Sequence, residues 1–482
     1  MVQGREKSLK INMILNAIKG IMSIVFPLIS FPYVSKILGV ENIGRYNFSN
    51  SIINYVVLFA GLGISTYAIR EGARLRNDKE EIRKFSNEMF SINVISTLVA
   101  YIGLFVLLIF VPKFHDYTSL LIILSLQVIF KTIGIEWIYS IYEDYAYITI
   151  RSIVFQVLSL ILLFLLVRTQ NDVDKYAAIT VVSSVGSNVM NYVHARKYCK
   201  VSLTTKIDWK KHIKPIMVLF AMSLTVTLYV SSDTTMLGLI CDDYTVGIYS
   251  VSTKIYSIVK TVLSSVLVVS IPRLSALLGE NKKNEFNEVS SDIYRTLLTL
   301  VLPSITGLIV LRKQVILLLS NSTYIRAESS LLLLSIALLF CLGAWFWGQC
   351  ILVPMKKENI VFKVTVVSAV VNVILNLVMI PIWKENAAAF TTVLAEAISF
   401  FYCSYTGHRY TKLSKILSTT LKSLAGCLAI IGVSIIGVKI IPSNIGYICF
   451  TVILSILLYG GIEVLLKNEA IWSILNSLKK RK

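Results

Sequence analysis

The feature that most constrains this chain is a series of apolar runs, each about 20 residues long, that recur from one end to the other. A run of this length crosses the hydrocarbon core of a bilayer as an α-helix, a structure that satisfies every backbone polar group without water. Only 15% of the 482 residues are charged, whereas about a quarter are charged in a soluble protein. The sequence therefore predicts an all-α polytopic membrane protein.

Fourteen membrane spans are predicted, and this even number places both termini on the same side. The spans are approximately 11–35, 46–69, 86–111, 118–142, 147–167, 176–195, 213–240, 245–271, 293–311, 329–353, 360–382, 386–406, 421–441 and 446–466. Segments on the side of the termini contain 32 lysines and arginines, and those on the other side contain 10. By the positive-inside rule, both termini are predicted to be cytoplasmic. This asymmetry accounts for most of the net charge of +20, so no nucleic-acid-binding surface is needed to explain it.

One helical hairpin occurs twice. Two apolar segments between Phe31 and Arg76 flank the turn 43–47 (IGRYN), and a related turn, 246–250 (VGIYS), lies 203 residues later. The same offset of 203 relates further identical pairs: Ile52 and Ile255, Val56 and Val259, Arg70 and Arg273, Ala73 and Ala276, and Lys79 and Lys282. Such internal repeats are common in secondary transporters.

The repeat predicts a chain built as two similar halves. We expect two pseudo-symmetric six-helix lobes, residues 1–200 and 201–415, with Gly44 and Gly247 in equivalent positions. Residues 416–482 then supply two further helices and a basic cytoplasmic tail. These last two helices contain no charge near mid-membrane and are expected to be peripheral.

Ionisable groups inside the spans are the most informative polar residues. Each costs about 2.5–3.5 kcal/mol on insertion scales, so each normally faces a cavity or a partner. The set comprises five cations and three acids: Lys19, Lys131, Arg151, Lys254, Lys260, Glu136, Asp233 and Glu396. Arg151 is close enough to its span end to extend to the membrane surface. A clean ion pair between Lys131 and Glu136 within one helix is not expected.

Two of the acids suit a role in ion coupling. Glu396 lies in mid-span, where a carboxylate can be held protonated and release its proton on a conformational change. Asp233 belongs to the polar patch 231–235, which is either a helix contact or a cavity wall. Glu136 is a further candidate.

Other residues have structural as well as functional interpretations. Pro27 and Pro32 each remove a backbone hydrogen bond, which predicts a bent and adjustable first helix. The aromatic group 345–347 either lines a sugar-binding surface or packs in a core, and packing is the commoner case. The four histidines fall near span ends and are expected at surfaces or interfaces. The seven cysteines form no CxxC pair and are odd in number, so neither a zinc site nor a disulfide framework is indicated. No metal and no cofactor are expected.

Several enzyme classes lack their required features. A Walker A motif needs lysine directly after glycine, and no glycine here is followed by lysine, so ATP hydrolysis is not expected. Membrane glycosyltransferases usually need acidic residues on an external loop, and the first external loop offers only Glu41. Polysaccharide polymerases tend to have a large external loop. The longest external loop predicted here, 312–328, has about 17 residues.

The run from Phe31 to Arg76, with its segments FPYVSKILG and IGRYNF, resembles the start of the Wzx-type polysaccharide repeat-unit flippases. These proteins belong to the multidrug/oligosaccharidyl-lipid/polysaccharide exporter superfamily. The resemblance implies a transporter rather than an enzyme, with two six-helix lobes around a cationic cavity and two extra helices. It also implies translocation of an undecaprenyl-pyrophosphate-linked oligosaccharide across the bacterial cytoplasmic membrane by alternating access.

The resemblance also implies which residues bind the pyrophosphate. The candidates that match the family's cationic cavity are Lys19, Arg45, Arg70, Lys254 and Lys260, with Lys131 as a weaker one. We expect Lys19 and at least one of Lys254 and Lys260 to face a shared cavity. Lysine binds phosphate as a point charge, without the bidentate fork of arginine.

Energy source, partners and alternatives follow from the same interpretation. Without a Walker motif, an ion gradient is the expected energy source. Expected partners are the lipid-linked substrate, membrane lipids, and the polymerase and glycosyltransferases of the same pathway. One alternative is a drug or cation exporter of the same superfamily, although such a cavity would be acidic and aromatic. The other is a membrane glycosyltransferase or polymerase.

Overall fold

The computed structural model describes residues 9–472, without the side chains of residues 9–17, 19, 21 and 23. Within the described range the regular structure is helical, and no β-strand occurs. Twelve of the helices found there are long and apolar enough to cross a membrane. The predicted all-α polytopic class is confirmed.

Sixteen α-helices make up the described chain. They are α1 (Leu9–Gly61), α2 (Ile64–Leu75), α3 (Lys79–Phe110), α4 (Thr118–Gly134), α5 (Glu136–Ile141), α6 (Tyr145–Leu166), α7 (Val173–Val185), α8 (Asn188–His194), α9 (Trp209–Ile240), α10 (Asp243–Gly279), α11 (Lys283–Leu319), α12 (Ala327–Trp345), α13 (Glu358–Trp383), α14 (Glu385–Gly407), α15 (Ile416–Ile440) and α16 (Asn444–Leu465). Helix α12 continues as a π-helix over Phe346–Leu352.

Helix α1 is interrupted at Gly39, which lies between the first two predicted spans. Gly39 has φ +76°, in the left-handed region that glycine enters without steric cost. The helix passes through both Pro27 and Pro32 with helical torsions. The break that the structure shows is therefore at the glycine, and a hinge at the prolines is still only a prediction.

The number of crossings depends on two irregular regions. Helix α1 counts once by length although it contains the break at Gly39. The predicted sixth span is divided at Gly186 into α7, with 13 residues, and α8, with 7, both too short to count alone. Twelve spanning helices thus result from residues 9–472, and the count of fourteen is not confirmed.

The described residues form two compact units, one up to Gly247 and one from Ile248 onward. Helix α9 packs on α1 and α2, so it belongs to the first unit. The predicted lobe boundaries at residues 200 and 415 rest on the sequence repeat rather than on this packing, and they remain untested.

In the first unit, alternate loops gather at opposite ends. Three hydrogen bonds join loops predicted to be external: Tyr33 Oη to the Val167 carbonyl (2.8 Å), Arg45 Nη2 to the Asp116 carbonyl (2.7 Å) and Lys113 Nζ to the Leu239 carbonyl (2.9 Å). Two contacts join loops predicted to be cytoplasmic: Arg76 with Glu143 (2.9 Å) and the Ser202 N–H with Asn87 Oδ1 (2.8 Å). Loops predicted to share a membrane side therefore share an end of the unit.

The second unit has the same organisation. At its predicted outer end, Arg326 forms two hydrogen bonds to the fully buried Glu385, with Nε 2.6 Å from Oε1. At its other end, the Ser414 N–H donates to Ser291 Oγ (3.1 Å). The alternation of loops predicted from sequence is thus present in both units, whereas the identity of the cytoplasmic end is still a prediction.

The segments 43–47 and 246–250, predicted as turns, are helical in the structure, within α1 and α10, and Gly44 and Gly247 lie where the two segments contact each other. A Cβ added to Gly44 would lie 1.8 Å from the Asp243 carbonyl oxygen, and one added to Gly247 would lie 2.1 Å from the Val40 carbonyl oxygen. Since 40 + 203 = 243 and 44 + 203 = 247, the contact is reciprocal under the repeat offset. Reciprocal pairing is the property of a twofold-related contact. The contact agrees with the repeat offset at these two glycines, whereas superposition of the two halves is still a prediction.

The aromatic group 345–347 is part of the second unit's core. Phe346 and Trp347 are buried, Phe346 packs on Tyr294 at 4.7 Å between ring centroids, and Trp347 lies 4.4 Å from the His408 ring. The core-packing interpretation agrees with the structure, whereas a sugar-binding surface would require these rings to be accessible.

His212 contradicts the expectation that the histidines lie at surfaces or interfaces. It is only 1% exposed, with Nε2 2.7 Å from Glu88 Oε2 and Nδ1 2.9 Å from Tyr67 Oη. The three side chains come from α9, α3 and α2. His212 is buried because it satisfies a carboxylate that would otherwise be desolvated without a partner.

Candidate functional site

A cavity of about 490 Å³ lies within the first unit, in the size range of small-molecule sites. Helices α1, α4, α5 and α9 form most of its wall. Its polar side chains are Asn54, Ser65, Thr66, Asn93, Lys131, Thr132, Glu136, Ser223, Thr227 and Ser231. Hydroxyl and amide groups both donate and accept hydrogen bonds. The polar side chains of this wall can therefore bind a ligand with many hydroxyl groups. We refer to this space as the first-unit cavity.

A backbone break brings Lys131 and Glu136 to the first-unit cavity. In an unbroken helix, positions five apart would point about 140° away from each other. Helix α4 instead ends at Gly134, and Ile135, with φ +38°, separates it from α5. Gly134 fits there because a Cβ would lie 2.6 Å from Asn188 Nδ2. Both charged side chains consequently line the same space.

Lys131 is the charged residue on the cavity wall that is available to a ligand. Its side chain is exposed, and it forms no hydrogen bond or ion pair with any residue in the described part of the chain. It lies 13 residues after the start of α4, about 20 Å along the helix axis. An ammonium at that depth is costly without water or an anion, so the cavity is suited to attract an anionic group.

Glu136, in contrast, has a partner. Its Oε1 accepts a hydrogen bond from Arg151 Nη2 at 2.7 Å, and Arg151 is only 7% exposed. The expectation that Arg151 extends to the membrane surface is therefore wrong, because this ion pair holds the guanidinium inside. With Glu136 neutralised by Arg151, Lys131 leaves the first-unit cavity with a net positive charge.

A second charged pair lies in the second unit. Lys260 Nζ is 4.0 Å from Glu396 Oε1, and the Lys260 ammonium also stands 5.5 Å from the centre of the Tyr256 ring. Glu396 is the twelfth of the 23 residues of α14, and so lies at its centre. The structure thus places two sequence candidates from different helices, one cation and one acid, side by side.

The other predicted residues are distributed more widely. Arg45 donates to a backbone carbonyl at the predicted outer end, and Arg70 pairs with its neighbouring glutamate at the opposite end. Asp233 is buried on α9, and Lys254 is half-buried on α10. Lys19 falls on α1, but its side chain lies outside the described residues. The structure therefore groups Lys131 with Glu136 and Lys260 with Glu396.

Sequence reasoning missed the polar stripe of α9. Ser223, Thr227 and Ser231 recur every four residues and line the first-unit cavity together. Residues four apart share one face of a helix, so this spacing was a readable signal. Among residues 9–472, no group of three His, Cys, Asp or Glu side chains is arranged to hold a metal ion.

Many apolar helices around a cavity with charged and polar side chains are typical of a multi-pass membrane transporter. A sequence profile for the polysaccharide biosynthesis protein family matches residues 9–278, more than half of the chain. The protein belongs to this polysaccharide biosynthesis family. A second profile, MatE, matches residues 218–378.

Curated relatives agree with this assignment. The capsular polysaccharide biosynthesis protein CapF of Staphylococcus aureus is 23% identical over 376 residues, which cover 75% of this chain and 90% of CapF. The putative O-antigen transporter of Escherichia coli (strain K12) is 20% identical over 396 residues, covering 81% of this chain and 94% of the relative.

Solved structures share the fold. The lipid II flippase MurJ in an inward closed conformation has a TM-score of 0.76 and 17% identity, covering 95% of this chain and all of MurJ. An inward-facing multidrug resistance MATE transporter of the MOP superfamily has a TM-score of 0.61 and 12% identity, covering 85% of this chain and 98% of the transporter. The predicted two-lobe exporter fold and the resemblance to Wzx-type flippases are confirmed.

Proposed function

We propose that this protein is a flippase that moves undecaprenyl-pyrophosphate-linked oligosaccharide repeat units from the cytoplasmic to the outer leaflet for surface polysaccharide assembly. The observation that carries the proposal is Lys131, which has no partner among the described residues, in a cavity whose polar side chains are mostly hydroxyl and amide groups. Membership of the polysaccharide biosynthesis family supports it, as do relatives named for capsule and O-antigen. The fold shared with a lipid II flippase is consistent with the same activity.

The chemistry of the cavity matches the two parts of the head group. Serine, threonine and asparagine side chains can replace the water that hydrates sugar hydroxyls. Lys131 can attract a phosphate as a point charge. The polyprenyl tail stays in the lipid, because only the head group is too polar to cross hydrocarbon. Alternating access of the two lobes then carries the head group across.

Energy coupling to an ion gradient completes the proposal. Glu396, Asp233 and Glu136 are the candidate carriers, since each is an acid within a membrane helix. The polymerase and glycosyltransferases of the same pathway are the proposed partners, and the bacterial cytoplasmic membrane is the proposed location.

A drug or cation exporter is the second function weighed, because the chain also matches MatE and shares the MATE fold. A cationic drug would require an available acid on the cavity wall. In the first-unit cavity Glu136 is already neutralised by Arg151, whereas Lys131 has no partner within the described part of the chain. The charge of this wall therefore favours an anionic ligand.

Deletion of the gene tests the function. We expect cells without this protein to lose surface polysaccharide and to accumulate its lipid-linked repeat unit in the cytoplasmic leaflet, because the head group cannot cross unaided. Quantitative staining of surface glycan and extraction of the labelled lipid intermediate measure both effects. Normal surface glycan combined with hypersensitivity to cationic drugs would instead establish the exporter alternative.

Cysteine labelling tests the proposed orientation. In a variant without the seven native cysteines, Ser443→Cys should react with an impermeant maleimide in intact cells, because both termini are proposed to be cytoplasmic. Lys79→Cys should react only after the membrane is opened. Both positions are exposed, so accessibility depends on the side of the membrane alone. The reverse labelling pattern would contradict the orientation.

A further inference from the structure

The Lys260–Glu396 pair in the second unit is unusual because its carboxylate is buried with few groups that stabilise a negative charge. The Glu396 side chain is only 6% exposed, and it accepts no hydrogen bond from any residue within 9–472. The 4.0 Å separation from Lys260 Nζ exceeds the range of a hydrogen bond. A buried carboxylate without hydrogen bonds is costly in its charged form. Among the described residues, the Lys260 ammonium is the group that pairs with the Glu396 carboxylate.

Lys260, by contrast, remains available to a second anion. Its side chain is 36% exposed, and its other contacts are the face of the Tyr256 ring and the Cys341 thiol. Neither group carries a full negative charge at neutral pH, since free thiols and phenols have pKa values of about 8.5 and 10. Cys341 and Tyr256 are also the other titratable groups that face the pair in the described part of the second unit. An incoming anion would thus compete with Glu396 alone.

We propose that an anionic ligand binding at Lys260 displaces Glu396 from the ammonium, and that Glu396 takes up one proton when this occurs. The ligand is the pyrophosphate of the proposed lipid-linked substrate, so this inference rests on the proposed function. A phosphate oxygen replaces the carboxylate oxygen as the partner of the ammonium. A proton from water converts the carboxylate to a carboxylic acid, and no bond between heavy atoms changes.

This arrangement links anion binding at Lys260 to proton binding at Glu396. The two protein states are Lys260 paired with ionised Glu396, and Lys260 paired with ligand beside protonated Glu396. Linkage is reciprocal, so a proton on Glu396 strengthens anion binding as much as the anion favours the proton. Affinity for the anion should consequently rise as pH falls, by up to about tenfold per pH unit where one proton is taken up per anion.

Calorimetry on the full-length protein in nanodiscs tests the inference, with farnesyl pyrophosphate as the probe. Binding is measured in two buffers of different ionisation enthalpy, between pH 6 and pH 7.5, which yields the number of protons taken up per ligand. The ionisation of the probe itself is common to all variants and cancels when they are compared. We expect Glu396→Gln to take up nearly one proton fewer than the wild type, and to bind with a weaker dependence on pH.

Two further variants complete the design. Glu280→Gln removes an acid from an exposed pair with Lys282 (2.9 Å) in a loop of the same unit, and it should behave as the wild type. Lys260→Gln should weaken probe binding at least tenfold, and any remaining binding should lack the extra proton. This second readout keeps the inference testable if Glu396→Gln does not fold.

The outcomes separate the inference from the function. Equal proton uptake by the wild type, Glu396→Gln and Lys260→Gln overturns the inference and leaves the flippase proposal intact. Absence of probe binding by the folded wild type overturns both. Fewer protons with Glu396→Gln, together with unchanged behaviour of Glu280→Gln, supports the coupled site.

Discussion

Replacing Lys131 by alanine should reduce surface polysaccharide at least tenfold, while the protein remains in the membrane at its normal level. Lys131 is exposed to the first-unit cavity and has no partner among the described residues, so its charge is available to the substrate. Loss of a hydrogen bond to a charged group costs about 1.5–3 kcal/mol. That energy corresponds to roughly a tenfold to 150-fold loss of affinity. Quantitative surface-glycan staining and membrane immunoblotting measure the two quantities.

Two variants show whether this loss belongs to the cavity charge. Lys131→Arg should retain part of the export, because the side chain keeps its positive charge although a planar guanidinium replaces the compact ammonium. Lys175→Ala removes an exposed lysine that pairs with Asp172 (2.7 Å) outside the cavity, and it should export normally. Full export by Lys131→Ala would show that the first-unit cavity does not bind the anionic head group.

Replacing Gly44 or Gly247 by alanine should destabilise the protein by about 1–3 kcal/mol or more. Each added Cβ would meet a backbone carbonyl, at 1.8 Å for Gly44 and 2.1 Å for Gly247. Because a carbonyl cannot rotate away as a flexible side chain can, the two helical segments must separate. Thermal unfolding of the purified protein should show the loss, and export should fall with it.

The shared crossing also determines how these two changes combine. Once one alanine has separated the two helical segments, the second Cβ has more space. The double variant should therefore lose less unfolding free energy than the sum of the two single variants. Gly432→Ala is the matched control, since a Cβ on this α15 glycine has no heavy atom within 4 Å. A melting temperature unchanged by Gly44→Ala would contradict the close crossing.

Much of the fold could be predicted from local sequence. Apolar runs long enough to span a bilayer must form helices, since lipid offers no other partner to the backbone. The polar segments between the apolar runs located the loops. The repeat of 203 residues indicated the two segments that contact each other at Gly44 and Gly247. Gly186 divided one predicted span, and periodicity alone did not reveal that break.

The candidate site could be predicted only as a set of positions. The cost of charge in hydrocarbon identified Lys131, Glu136, Lys260 and Glu396 before any partner was known. The pairing of Arg151 with Glu136 was missed, because proximity to a span end favoured the membrane surface. Likewise, the buried contact of His212 with Glu88 joins residues 124 positions apart.

The sequence by itself determined which residues enter the membrane and which of them are charged, because both depend on the local balance between apolar surface and hydration. The tertiary structure alone decided which charge meets which partner. Lys260 and Glu396 lie on α10 and α14, and only the packing of those helices brings them within 4.0 Å. A buried ion's energy is set by the groups that replace its water, and those groups come from distant parts of the chain.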